Sequence, residues 1–163
     1  MHIKQALESG KHVLCESPFT LNVAEYEELL ALATDKGLYI MEAIKTAYST
    51  AYNRMILLAK SGKIGDVISV DAICTSLRDI NYFDRTQLEH TWSSITSWGP
   101  TALLPVLQLL GNEWKQKQIV TRVGSEEYKY DEFTSVTFTY PHAIASIKVG
   151  KGVKSEGELV ISG

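Results

Sequence analysis

The chain has 163 residues, 45% of them hydrophobic and 21% charged, with a net charge of −3; that is room for one domain, or for one domain and part of another. Charges of both signs are scattered, which excludes a basic nucleic-acid footprint and a polybasic membrane patch, and the apolar runs are too short and broken to span a bilayer. Cys15 and Cys74 lack metal-type spacing and read as free thiols in a reducing cytoplasm, and residues 1–6 lack the apolar core of a signal peptide.

Residues 3–9 predict a short helix closed by Gly10, and residues 12–15 a short buried strand that Pro18 stops. Asn22 then caps a helix, with Glu25 at the capping-box spacing. Val23, Tyr26, Leu29, Leu30 and Ala33 form its apolar stripe, Gly37 ends it, and residues 38–41 make a second strand. Strand, helix and strand at this spacing predict parallel pairing with a right-handed crossover. Two parallel strands alone bury little, so the start of the chain reads as the end of a larger sheet.

Beyond residues 43–47 the pattern changes. Residues 48–61 predict a helix with Tyr52, Met55 and Ala59 on one face, and residues 67–77 a long strand. Residues 78–98 read as a loop or crossover. Pro100 then suits the first position of a helix burying Leu103, Leu104, Leu107 and Leu110, which Pro105 should kink. Residues 119–123, 133–140 and 143–149 predict antiparallel strands, with Val136, Phe138 and Tyr140 alternating inward and Pro141-His142 turning the chain. Residues 158–161 begin a further strand.

The segment Ala6-Leu7-Glu8-Ser9-Gly10-Lys11-His12-Val13-Leu14-Cys15-Glu16-Ser17-Pro18 resembles the late Rossmann segment of the Gfo/Idh/MocA (glucose–fructose oxidoreductase/inositol dehydrogenase-like) family. The likeness runs on through residues 22–36, Gly37-Leu38-Tyr39-Ile40-Met41-Glu42-Ala43 and Ser61-Gly62-Lys63-Ile64-Gly65-Asp66-Val67, and thins afterwards. It implies an α/β fold in which residues 1–45 are the remnant of a Rossmann domain (βαβ). Residues 46–163 would be an α+β substrate and dimerisation domain with a mostly antiparallel sheet, cut short at its end. It also implies NAD- or NADP-dependent oxidation or reduction of a sugar, cyclitol or related hydroxyl compound by the parent protein. The sequence contains no Gly-x-Gly-x-x-Gly turn to cradle a pyrophosphate, so no cofactor is expected on this chain alone.

The resemblance also singles out site residues. Family members carry Glu-Lys-Pro where this chain has Glu16-Ser17-Pro18, and that lysine hydrogen-bonds the reacting hydroxyl; a neutral serine cannot stabilise a developing alkoxide by charge. Aligning the family's Asp-x-Gly-x-His/Tyr pattern on Gly99 places Ser97 and Thr101 at its other catalytic positions. Two readings stay open. Either the chemistry has been lost and the chain is a dimerisation or interaction module, or it is rearranged, with Lys45 of Glu42-Ala43-Ile44-Lys45 as the replacement cation. Glu16 matches the motif glutamate and is structural or cofactor-facing, Pro18 belongs to the same motif as a cofactor-side position, and Glu42 is either a cofactor-binding candidate or a surface or capping carboxylate. A second copy is expected to cover the open face of the sheet. His2, His12, His90 and His142 lack paired spacing, which argues against a zinc site. Trp92, Trp98 and Trp114 could line a sugar pocket or simply pack, and Tyr48 and Tyr52 read as core.

Overall fold

A computed structural model describes residues 2–77, 93–124 and 130–163. Its contacts divide into two compact units, Met1–Lys45 and Thr46–Gly163.

The first unit is helix α1 (His2–Glu8), strand β1 (Val13–Cys15), helix α2 (Val23–Asp35) and strand β2 (Ile40–Glu42). The two strands pair in parallel, Val13 beside Ile40 and Cys15 beside Glu42. Asn22 Oδ1 accepts the backbone N–H groups of Ala24 and Glu25, satisfying donors that the first turn of α2 leaves open. Leu7, Leu29 and Ala33 form the core, with Ile3, Val13, Phe19, Leu32, Leu38 and Ile40 against them. The predicted stripe of α2 is therefore only half buried: Val23 is 72% exposed, and Tyr26 and Leu30 are exposed too. Two strands and one short helix are too little structure to cover it within this unit. The second strand also starts later than predicted. Leu38 is taken up by the helix end, its N–H donating to Ala33 O, so pairing begins at Ile40.

The second unit opens with a 3₁₀ turn (Lys45–Tyr48), whose first residue belongs to the preceding unit, and helix α3 (Thr50–Lys60). Tyr52 and Ala59 are buried as expected, but Ile56 rather than Met55 completes the inward face and Tyr48 is exposed. Strand β3 (Ser69–Ser76) follows, and after residues 78–92, which lie outside the described residues, helix α4 (Ser94–Leu110). Strands β4 (Gln116–Val123), β5 (Asp131–Thr139), β6 (Ile144–Lys151) and β7 (Glu158–Ser162) complete one five-stranded sheet in the order β4-β5-β6-β3-β7. Three neighbouring pairs are antiparallel and β3–β6 is parallel, as a mostly antiparallel sheet requires.

Helix α4 departs most from expectation. It begins at Ser94 and not at Pro100, and holds both prolines inside it. The cap explains this: Ser93 Oγ accepts Thr96 N–H at 3.2 Å, while the Asp131 carboxylate accepts the N–H groups of Ser94 and Ile95 at 2.9 Å each. An acceptor supplied from β5 thus satisfies donors that Ser94-Ile95-Thr96-Ser97 cannot satisfy locally. Its inward side is Gly99, Ala102, Pro105 and Val106, with Leu103 and Leu110 half-buried and Leu107 exposed. Gly111, at φ +75°, ends it in a conformation that other residues rarely adopt. The helix covers the sheet face formed by Val70, Ala72, Val136, Phe138, Ala145, Ile147 and Val149. The face that α4 covers is thus buried within the chain over β3, β5 and β6. The register puts Ser69, Asp71, Ser135, Thr137, Ser146 and Lys148 on the opposite face together with Ile73, Phe133, Ile144 and Val160, of which Ile144 and Val160 are exposed.

Candidate functional site

Five of the seven residues singled out above gather at one end of the β1–β2 pair. Glu16 and Ser17 follow the last residue of β1, Glu42 is the last of β2, and Lys45 starts the turn beyond it. The carboxyl ends of parallel strands are where open α/β sheets place ligands, because the chain leaves the sheet there and opens a crevice. Ala43 N–H donates to Cys15 O at 2.7 Å, holding the two exits side by side. Ser17 Oγ donates to Glu42 Oε1 at 2.8 Å, and Pro18 follows through a cis peptide bond. The Ser17 hydroxyl proton is therefore engaged by a carboxylate, which leaves its lone pairs as what it can offer a ligand. Lys45 Nζ stands 3.6 Å from Glu16 Oε1, with side chains 84% and 74% exposed. Such an exposed pair is worth about 0–1 kcal/mol and is screened by salt. It keeps a mobile cation near the strand ends without enclosing it.

The other two residues, Ser97 and Thr101, lie one turn apart on α4, in the second unit. Thr101 lines a cavity of about 410 Å³ with Tyr52, Cys74, Trp98, Pro105 and Glu158. That volume suits a small ring compound, and its mix of apolar walls and a few hydroxyls is typical of small-molecule sites. Burial pushes the Tyr52 phenol up to about 12, so it stays a neutral donor and gives its proton to Gln108 Oε1 at 2.6 Å. Burial also pushes the Cys74 thiol up, which keeps it protonated and poorly nucleophilic. Trp98 Nε1 donates to Ser76 Oγ at 3.1 Å. Ser97 Oγ accepts from Lys151 Nζ at 3.1 Å.

Lys151 and Ser76, which hold Ser97 and Trp98, are partners that sequence reasoning missed. Each ends a strand of the parallel β3–β6 pair and reaches α4 only through the fold, so no local signal marks them. Of the tryptophans, Trp98 lines the cavity, Trp114 packs on Phe138 and Tyr140 in the core, and Trp92 lies outside the described residues, as does His90. Among the described residues no three His, Cys, Asp or Glu side chains gather as a metal site, and no helix is long and apolar enough to cross a membrane.

Residues 1–44 match the sequence family described as an oxidoreductase family with an NAD-binding Rossmann fold, GFO_IDH_MocA. The chain is 41% identical over 140 residues to trans-1,2-dihydrobenzene-1,2-diol dehydrogenase of Bos taurus, covering 85% of this chain and 41% of that protein. It is 34% identical over 123 residues to dTDP-3,4-didehydro-2,6-dideoxy-alpha-D-glucose 3-reductase of Streptomyces violaceoruber, covering 73% of this chain and 35% of that one. The chain thus spans well under half the length of these curated relatives. Among solved structures, aldose-aldose oxidoreductase from Caulobacter crescentus, complexed with glycerol, superposes with a TM-score of 0.85 at 20% identity, over 99% of this chain and 50% of that one. The last likeness shows a shared fold.

Proposed function

We propose, for a chain whose first 44 residues belong to the Gfo/Idh/MocA oxidoreductase family, that it forms part of a cytoplasmic NAD(P)-dependent oxidoreductase acting on a hydroxyl of a sugar, cyclitol or cyclic diol. The observation that carries this reading is the convergence of Glu16, Ser17, Pro18, Glu42 and Lys45 at the carboxyl ends of β1 and β2, within the matched segment. The relatives named above, a dihydrodiol dehydrogenase and a deoxysugar reductase, support the substrate class.

A bound nicotinamide would supply hydride acceptance or donation. The strand-end carboxylates and hydroxyl suit its ribose side, but the 163 residues hold no Gly-x-Gly-x-x-Gly turn for the pyrophosphate. The fit is therefore partial, and what these residues contribute is orientation and charge. Lys45 supplies the positive charge that Ser17 cannot. Ser17 and Glu42 fix the strand exits; in the second unit, taken by itself, the cavity beside Trp98 and Thr101 has room for a small ring. The isolated chain is inactive on this reading.

The sheet supports a second reading, a non-catalytic module that forms homodimers. Every residue of β4 is exposed, with Ile119, Val120 and Val123 among them, and this strand is an edge. An edge strand that exposes apolar side chains is a template for pairing, which Lys117 and Arg122 on the same strand oppose in part. Light scattering at tens of micromolar tests it: a dimer burying roughly 1,600 Å² or more would be stable at that concentration, and a clean monomer refutes it. Intact mass of the natural product separates the readings. A species near 18.1 kDa favours the module. A longer product that reduces NAD(P)⁺ with cyclic diols or sugars establishes the oxidoreductase, and a longer product inert toward all of them overturns it.

A further inference from the structure

We propose that the cavity of the second unit admits uncharged ring compounds and refuses charged ones. The reacting hydroxyl is then carried on a neutral cyclic diol or polyol, and not on a phosphorylated, carboxylated or amino sugar. The inference rests on that cavity being the substrate site of the oxidoreductase reading.

Ala72, Cys74, Pro105 and Leu159 make the apolar part of the cavity wall. Burial keeps the Cys74 thiol protonated and the Tyr52 phenol neutral, and Tyr52 gives its proton to Gln108. The Trp98 indole N–H is taken by Ser76 Oγ, so what Trp98 offers a ligand is its ring, whose electron-rich face repels an anion. Among the described lining residues, Glu158 alone carries a charged side chain at neutral pH. The register sets Glu158 opposite Ile73, out of step with the facing pair Ala72 and Leu159. Its carboxylate therefore projects from the other face of the sheet. The start of α4 offers an anion nothing either, because the Asp131 carboxylate and Ser93 Oγ already accept its first N–H groups. A charged substituent entering this space would lose its water and meet no counter-ion among these residues, which is unfavourable however well the ring fits. A hydroxyl substituent is different: Thr46 and Thr101 each bring a donor and acceptor to replace the water it gives up. The volume of about 410 Å³ accommodates one ring with its substituents.

The test uses the full 163-residue chain, with the Trp98 indole N–H resonance as reporter, assigned by its loss in Trp98→Phe. The probes share one ring: trans-cyclohexane-1,2-diol, the cation trans-2-aminocyclohexanol and the anion trans-2-hydroxycyclohexanecarboxylate. The diol should give a saturable shift, and each charged analogue should bind at least about tenfold more weakly. The ratios should hold from about 0.05 M to about 0.5 M salt, because dehydration is not screened, whereas repulsion of the anion by the net charge of −3 would fade. Leu159→Lys puts an ammonium on the cavity wall and should bring the anion to within about threefold of the diol. If Leu159→Lys does not fold, Thr46→Lys makes the same test, and if neither folds the wild-type ratios decide. A charged analogue bound by the wild type within about tenfold of the diol, or a preference that vanishes in high salt, would overturn the charge selection and leave the cavity reading in place. No saturable shift with the diol, or no gain for the anion in the folded lysine variant, overturns the cavity reading and the inference with it.

Discussion

Replacing Ser94 by alanine should destabilise the second unit far more than loss of one hydroxyl usually does. Ser94 is fully buried, and its Oγ accepts from Lys151 N–H at 2.9 Å while facing Asp131 O at 2.7 Å and Glu132 O at 2.8 Å. With a single hydroxyl proton it donates to these two carbonyls in turn or in a shared bond. Ser94→Ala takes an acceptor from the Lys151 N–H and a donor from two carbonyls at the junction of α4, β5 and β6. A buried polar group left unsatisfied costs about 1–3 kcal/mol, so the combined loss should be about 2–4 kcal/mol, a large share of the 5–15 kcal/mol typical of a domain. Urea denaturation followed by tryptophan fluorescence measures it, because Trp98 and Trp114 both sit on this unit. The midpoint should fall with the slope unchanged. Ser61→Ala is the control: its hydroxyl donates to Leu58 O at an exposed helix end, and the change should stay within about 0.5 kcal/mol. A Ser94→Ala loss below ~1 kcal/mol would show that water or a backbone shift satisfies the orphaned groups, and the reasoning would fail.

Calorimetric titration of the 163-residue chain with NADH or NADPH should give no saturable binding below millimolar concentration, since its sequence holds no Gly-x-Gly-x-x-Gly turn for the pyrophosphate; a stoichiometric micromolar isotherm would refute that. In a catalytically competent parent, Lys45→Met should leave stability within about 0.5 kcal/mol, because its ion pair with Glu16 is exposed, yet lower turnover by about 10²–10³. Turnover within about threefold of wild type, under ~1 kcal/mol of barrier, would make Lys45 a surface residue. Burial raises the Tyr52 phenol from 10.0 to about 12, so between those values the unfolded chain has lost a proton that the folded chain keeps. Stability should therefore fall as pH rises through this window, and Tyr52→Phe should remove part of the slope. Indistinguishable slopes for the two proteins in alkaline urea titrations would contradict the burial argument. The Tyr130 and Tyr140 phenols are also raised, chiefly by burial, which is why the comparison with the variant is the measurement and not the slope itself.

The residues of this chain determined by themselves whatever depends on local geometry. Apolar periodicity and the Asn22 cap placed α2, alternation of Val136, Phe138 and Tyr140 oriented β5, and the strand-helix-strand spacing required parallel pairing of β1 with β2. Chain order alone also put Glu16, Ser17, Glu42 and Lys45 at the same strand ends, because each lies within three residues of a strand exit. Tertiary structure decided what depends on partners distant in sequence. Helix α4 begins at Ser94 because a carboxylate from β5 caps it, and β4 reaches back to Gln116 because β5 pairs with it as far as Thr139. The covering of the apolar sheet face by α4 was likewise invisible, since strand alternation shows that a face is apolar and not what lies upon it. Ser97 meets Lys151, and Trp98 meets Ser76, only because β3 and β6 run parallel and end together beneath one helix. A hydrogen bond over 54 residues leaves no periodic trace, because each partner satisfies its own local pattern and the fold alone brings them within reach.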